Sequence, residues 1–356
     1  MSQQQLLNQT VRHAVQVEGL KQSEVDKISE FLKQIDQLLR AKLSTGDELT
    51  EFSRARLNKM LKEVSDEIGA VFSSFYTGLF ASLTAITAAE VAFEVASIAN
   101  AAAATAALQP ISPVLANVQR AVLVNPLSAQ GIQGQLLESF VKNFTEVEQE
   151  RLVGMIRQGV FAGSTNAEII KSLRGTKAKN FKDGVLDISE RNADAIVRTS
   201  IQHVSNQARN EVWKANKDIV IGVRIVATLD SRTSAVCRSL DGRVFKVTEG
   251  VRPPFHIRCR TTTVAVLDPK YAGKDVAKTR ASEDGPVADQ NYYEWLKSQP
   301  KAFQVSVLGK ERAALLVDGG LSAERFAALQ LDRNFKPLTL DQMRELEPTV
   351  FARANL

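Results

Sequence analysis

Apolar residues recur at helical spacing along the first part of the chain. Val15, Val17, Leu20, Val25, Ile28, Leu32, Ile35, Leu38 and Leu39 stand between polar positions, which predicts amphipathic helix over residues 2–66. Ser44 to Asp47 interrupts the pattern, and a second stripe follows at Leu57, Leu61, Val64 and Ile68. Two long antiparallel helices are the expectation. From Ile68 to Ala89 no residue is charged, a run of 22 that is long enough to raise a membrane span. Ser73, Ser74, Thr77, Ser82, Thr84 and Thr87 are scattered through it, Glu90 and Glu94 follow at once, and no basic flank sits at either end. That composition predicts a buried, Ala-rich helix instead, with the same reading for Val95 to Leu108, and its small residues also suit packing between chains. Pro110 and Pro113 end the segment, and Pro126, Gly131 and Gly134 mark a loop.

Helical spacing returns over residues 136–175, with Leu137, Phe140, Val141, Phe144, Val147, Leu152 and Ile156 on a stripe. Thr165 with Glu168 three positions later has the capping-box pattern. Lys171 to Lys182 is basic and rich in turn residues, and a domain boundary is expected there. Ile188 to Asn216 predicts one more helix, Ile219 to Leu229 a strand, Asp230 to Ser234 a turn, Asp241-Gly242 a hairpin, and Thr261 to Leu267 another strand. Asp268 to Pro286 predicts a linker or exposed loop. Beyond it Tyr292, Tyr293, Trp295, Leu296 and Phe303 cluster ahead of short helices near 312–317 and 323–329, a pattern that fits either docking on another surface or packing on the same chain. The fold class is therefore mainly α with a small α+β domain: a helical N-terminal domain (1–175), a helix-plus-short-strand domain (188–267) and a small helical C-terminal docking region (287–356).

The net charge of +5 is unevenly spread. Residues 1–150 carry −5, residues 151–280 carry +12 and residues 281–356 carry −2. A basic middle third predicts a surface that faces phosphates, an acidic protein neighbour or simply solvent. Cys237 and Cys259 are the only cysteines, too few for a disulfide framework, and the start from Met1 to Gln5 is polar. A chain without a leader, in a reducing compartment such as the cytosol or the inside of a particle, is expected. No Gly-Lys-Ser or Gly-Lys-Thr occurs, which disfavours an ATP-driven motor. His13 and His203 lie in separate predicted helices with no partner at metal spacing.

The densest chemistry lies between Leu229 and Arg260. The order is Leu229-Asp230-x-Arg232-Thr233-x-x-x-Cys237, then Leu240-Asp241-Gly242-x-Val244-Phe245, then Pro253-Pro254-x-His256-x-x-Cys259-Arg260. These three elements, with the helix that carries Arg198-Thr199-Ser200 ahead of them, resemble the phage head-morphogenesis, or minor head protein, family typified by the F protein of phage Mu. Leu338-Thr339-Leu340-Asp341-Gln342 is similar to endings seen in some of these proteins. The resemblance implies a virion component made for head assembly or for DNA packaging and delivery. It would be present in a few copies per particle and act by binding portal or major capsid subunits and packaged double-stranded DNA, not by turnover. It implies a structural role for Asp230, Arg232, Asp241, Gly242, Pro254, His256 and Cys259.

Many members of that family show Cys-x-x-Cys followed by His-x-x-Cys, a set that suits tetrahedral zinc. Here Ser234 stands where the first cysteine would be, leaving Cys237, His256 and Cys259, with Asp230 or a water needed to complete a site. Two readings stay open: zinc, and a knot with no cofactor in which His256 bonds backbone carbonyls or Asp230. Arg238, Arg243, Arg252, Arg258 and Arg260 are the candidate DNA contacts, with Arg232 crowded among them. Two rivals are carried. One is an internal protein ejected with the DNA, whose helices over 68–108 enter the host envelope. The other is an enzyme, metal-dependent or a transferase, using Arg198, Cys237 or His256, for which no nucleophile and base can be paired from spacing.

Overall fold

A computed structural model describes residues 3–44, 47–102, 109–271 and 279–356 of the chain. Helix α1 runs Gln3–Leu43 and α2 runs Arg54–Ala102, antiparallel neighbours separated at the predicted break. Along α1 the buried side chains Val17, Ile28, Leu32, Ile35, Leu39 and Leu43 keep one stripe, and Leu61, Val64, Ile68, Phe72, Phe75, Leu79, Leu83 and Ile86 do the same on α2. Helices α3 (Leu115–Val124), α4 (Leu137–Phe161), α5 (Asn166–Arg174) and α6 (Val185–Ala215) complete the bundle. Helix α5 starts at the expected capping box, with Thr165 and Glu168 exchanging both bonds.

Within the uncharged run, α2 buries its Phe and Leu face and turns Ala70, Ser73, Ser74, Thr77, Gly78, Ala81, Thr84 and Ala85 outward. The hydroxyls of Ser74, Thr77, Thr84 and Thr87 donate to the carbonyl four residues back, so they make no demand on a neighbour. By length and composition α2 is long and apolar enough to cross a membrane. Residues 103–108 of the expected small-residue helix lie outside the described residues.

Helix α6 is the hinge of the architecture. Its first half, through Ala193, Val197, Ile201 and Val204, belongs to the bundle core, and its second half, through Ala208, Val212 and Trp213, supports a three-stranded antiparallel sheet. That sheet has the order β2-β1-β3, from β1 (Val220–Val226), β2 (Val244–Phe245) and β3 (Thr262–Leu267). Val223 pairs with Phe245 on one side and with Ala265 on the other. Leu6 and Leu7 at the start of α1 reach the same core, so the first helix clamps bundle and sheet together.

Two expectations need correction. Asp241-Gly242 is not a hairpin turn: a six-residue helix α7 (Ala235–Leu240) lies between β1 and β2, and Asp241 is its C-cap with Gly242 at φ +79°. Ser234 starts that helix by accepting the Cys237 N–H, and the Gly serves a helix end as readily as a turn. The stretch 268–286 is not wholly a linker either, since β4 (Thr279–Ser282) and β5 (Gly285–Ala288) form an antiparallel hairpin. Arg280 inside β4 is buried, which binds the hairpin to the motif region.

The C-terminal helices are α8 (Tyr292–Lys297), α9 (Lys301–Leu308), α10 (Lys310–Asp318), α11 (Ala323–Leu329), α12 (Leu340–Leu346) and α13 (Pro348–Arg353). The aromatic cluster is spent inside this unit. Tyr292 and Trp295 meet edge to face at 5.2 Å, Tyr293 and Phe326 at 4.9 Å, and all four are buried. The Tyr292 hydroxyl donates to the Asp230 carbonyl at 2.6 Å, joining the C-terminal unit to the turn after β1.

Candidate functional site

Helix α7 presents Cys237 one turn from its N-terminus, and the loop from Pro253 to Arg260 folds back across it. Pro254 in that loop is buried after a cis peptide bond, and its carbonyl accepts from the Ser128 hydroxyl at 3.0 Å. Cys237, His256 and Cys259 converge, with their donor atoms all within 4.8 Å of one another. The two sulfurs are 3.7 Å apart, and His256 Nε2 lies 3.2 Å from Cys237 Sγ. His256 Nδ1 is 2.7 Å from the Ile257 carbonyl, which orients the ring. Both cysteines are buried, packed among Ile225, Val236, Leu240 and Phe255.

Burial pushes the Cys237 thiol well up, assisted by its neighbour Cys259. Burial also opposes ionisation of Cys259, but its contacts with Cys237 and His256 outweigh it and hold that thiol well below the ordinary range. Burial works against a charged His256, and the Cys259 sulfur overcomes it, raising the imidazole. The three side chains thus form one hydrogen-bonded cluster, in which burial pushes the Cys237 thiol up and its neighbours pull Cys259 down.

The donor set meets part of what zinc requires. Tetrahedral bonds of about 2.3 Å give a sulfur-to-sulfur edge of about 3.8 Å, which the two cysteines match. A closed structural site takes four protein ligands, and here the fourth corner has no side-chain ligand among the described residues. Ser234 sits closest to that role, but its hydroxyl is the N-cap of α7. Asp230, the other expected ligand, is engaged elsewhere. Its carboxylate takes Arg260 bidentately at 2.6 and 2.9 Å, the Thr233 hydroxyl at 2.9 Å and the Arg232 backbone N–H at 3.1 Å. A guanidinium fork satisfies both carboxylate oxygens, so Asp230 braces the turn and does not join the sulfurs.

Burial raises the Asp230 carboxyl, but Arg260 more than compensates and holds it below the usual range. A folded pKa below the unfolded value gives stability that is present above the unfolded pKa and lost as pH falls through the folded one. Acid titration of the wild-type chain is therefore expected to lose stability below about pH 4. Asp230→Asn should flatten that loss in a urea-midpoint series, and an unchanged acid limb would refute the assignment.

Of the candidate DNA contacts, four donate into the chain itself. Arg260 is held by Asp230, Arg258 by Asp194 and the Arg191 carbonyl, and Arg252 by the carbonyls of Lys246, Val247 and Val251. Arg238 donates to the Val307 carbonyl at 3.0 Å and lies over the Tyr292 ring. Arg243 is half-buried and lines a cleft that Asp289, Glu294 and Glu324 also line. Arg232 stays open to solvent, its side chain 80% exposed. Arg198 pairs with Asp194 at 2.6 Å.

Sequence reasoning missed the residues that fasten the knot to the bundle. Lys21 on α1 is fully buried, and its ammonium reaches Glu18 at 2.5 Å, the Gln202 amide oxygen, and the Cys259 carbonyl at 3.4 Å. Gln202 in turn donates to the Thr261 carbonyl at 2.7 Å. The signal was a lysine standing on the apolar stripe between Val17 and Ile28. A second buried cluster joins α2 to α6 and β3: Glu94 accepts from Arg209 at 2.8 Å and from the Trp213 indole at 2.6 Å. His13 stacks on Phe93 and lies 3.0 Å from Glu90, and His203 contacts the Val122 carbonyl, so neither histidine joins the sulfur cluster.

A six-residue capped helix and a returning Pro-Pro-x-His-x-x-Cys loop, docked on a long helix through buried polar groups, define a structural motif unit. Residues 150–264 match the family model of Phage Mu protein F like protein, so this segment is Mu F-like and the resemblance drawn from the motif residues holds. The match opens within α4, earlier than the motif residues alone indicate, and covers just under a third of the chain. It points to a bacteriophage head-morphogenesis protein, and so to the virion. No curated protein and no solved structure matches the chain.

Proposed function

We propose that the chain is a minor head protein of a tailed bacteriophage. It binds portal or major capsid subunits during head assembly in the host cytoplasm, stays in the head interior or portal region in a few copies, and serves DNA packaging or delivery. The observation that carries this reading is the Mu F-like segment ending in a knot whose reactive atoms are turned inward. A thiol and an imidazole 3.2 Å apart have the spacing of a nucleophile and its base. Yet Cys237 is 2% exposed, and the cleft of about 330 Å³ that opens nearby is lined by Val11, Val15, Asp230, Arg232 and Arg260, without either cysteine or His256. Cys259, the thiol that its neighbours pull down, is wholly buried as well, so neither sulfur is open to a substrate. The knot is read as architecture, without a cofactor.

Two experiments test this. Purified particles from a phage encoding the chain should contain it by mass spectrometry, and deletion of its gene should leave heads absent or unfilled. Normal, infectious heads without it would overturn the reading. The ejection rival draws on the uncharged outward face of α2, and flotation of the full chain with liposomes separates the two: clear insertion favours the rival.

A further inference from the structure

The basic turn between α5 and α6 is a built surface that the function above does not use. Gly175 at φ +85° and Gly184 bring the two ends of the loop together, since a Cβ on Gly184 would sit 2.3 Å from the Arg174 carbonyl carbon. Asp183 closes the base by accepting from the Thr176 N–H at 2.7 Å and the Thr176 hydroxyl at 2.9 Å. Phe181 N–H then returns to the Thr176 carbonyl at 2.9 Å, and Asn180 and Phe181 are both left-handed, at φ 51° and 62°. The loop is therefore fixed before any partner arrives.

Its tip carries Lys177, Lys179 and Lys182, all exposed. Among the described residues none of the three forms an ion pair, whereas the exposed Lys33, Lys62, Lys142 and Lys246 each face an acid three or four positions away. The acids around the loop are already engaged: Asp183 by Thr176, Asp36 by Arg40 and Arg174, Asp187 by Arg191, and Glu190 by the Ser29 hydroxyl. Arg174 is held under the half-open Phe181 ring, 5.4 Å from its centroid, so the cations at the tip project from a rigid base.

We propose that this loop, residues 175–184, is a docking point for the phosphate backbone of duplex DNA. Three exposed ammonium groups on a preformed turn, with Lys179 also feeling the Asp183 carboxylate at the loop base, can meet phosphates as point charges, and the binding they give is independent of sequence. The choice of DNA as the occupant rests on the proposed function; the charge geometry does not. It also relocates the expected phosphate contacts, since the arginines of the motif are mostly spent inside the chain.

The test uses the purified full-length chain and a short duplex of mixed sequence, titrated over a range of salt. The triple variant K177A/K179A/K182A should bind roughly tenfold or more weakly, and the slope of log K against log salt should flatten by about 3, near 0.9 per lost phosphate contact. The charge-matched control K62A/K142A/K246A removes paired lysines and should change affinity by less than about twofold. Circular dichroism of both variants should match the wild type. Wild-type binding that the loop variant leaves unchanged, or no wild-type binding to duplex DNA, overturns the proposal. So does a loop variant that loses binding to polyglutamate but keeps DNA, which would assign the loop to an acidic protein surface. Failure of the chain to enter particles would sink the head-protein reading while leaving the binding result intact.

Discussion

Replacing Asp241 with alanine is expected to lower unfolding stability by about 3–5 kcal/mol. Its carboxylate and the Arg280 guanidinium are 0% and 1% exposed, joined by bonds of 2.6 and 2.8 Å, and the same carboxylate accepts the Ala227 N–H at 2.7 Å. Removing it leaves a guanidinium that cannot lose its proton stranded in the interior, and orphans a backbone donor at the end of β1. Asp241→Asn keeps an acceptor for Ala227 but removes the charge, so it should fall between. Asp241→Leu combined with Arg280→Met removes both charges and should recover much of the loss, because the pair itself contributes little beyond what desolvation takes. Urea midpoints at constant m-value measure all three. A loss under about 1 kcal/mol for the alanine variant would mean that solvent reaches Arg280. The pair fastens the β4–β5 hairpin to the end of α7, so the same variant should loosen the floor under Cys237.

This pair also marks the boundary of what the sequence discloses. Helical stripes such as Leu61, Val64 and Ile68 were legible because burial on one helix face repeats at the helix's own period. The α5 start was legible because Thr165 and Glu168 are local partners. The strands β1 and β3 were legible from β-branched density. By contrast, Arg280 in a four-residue strand looks solvated until its partner 39 positions earlier in the chain is brought beside it. Asp-Gly carried an ambiguous message, since a left-handed glycine suits a hairpin and a helix end equally. Short α7 lacked the length for a periodic pattern, and its Ser234 cap falls in a stretch that reads as a turn. At the site, order and spacing named Cys237, His256 and Cys259 together, and the structure places their donor atoms in one cluster. Spacing could not show that Asp230 is taken by Arg260, nor that Lys21, more than two hundred residues from Cys259, fastens the cluster to the bundle. Long-range polar pairs leave no periodic trace, and they are what joins the motif unit to the helices.

Replacing Ser234 with cysteine is expected to convert the chain into a zinc protein. The Ser234 side chain already caps α7 through the Cys237 N–H at 3.4 Å, so a sulfur at this position would stand on the same helix end as the Cys237 thiol. The substitution completes Cys-x-x-Cys with His-x-x-Cys, on two sulfurs whose 3.7 Å separation already matches a tetrahedral edge. The cost is the N-cap, about 1 kcal/mol. Against it stands an apparent zinc affinity that in small four-ligand domains reaches about 10–16 kcal/mol near neutral pH, part of which appears as folding stability. Elemental analysis should find one zinc per Ser234→Cys chain, and a chelator should lower its melting temperature by many degrees. Because thiolate and neutral imidazole are the ligands, that gain should fade as pH falls. The wild-type chain, with three donors and a hydroxyl, should carry no stoichiometric zinc and melt at the same temperature with or without chelator. One equivalent of zinc in the wild type would overturn the hydrogen-bonded knot in favour of a site completed by water. Absence of zinc from the folded variant would show that the Ser234 side chain does not face the sulfurs, and that the likeness to a four-ligand set stops at the order of residues.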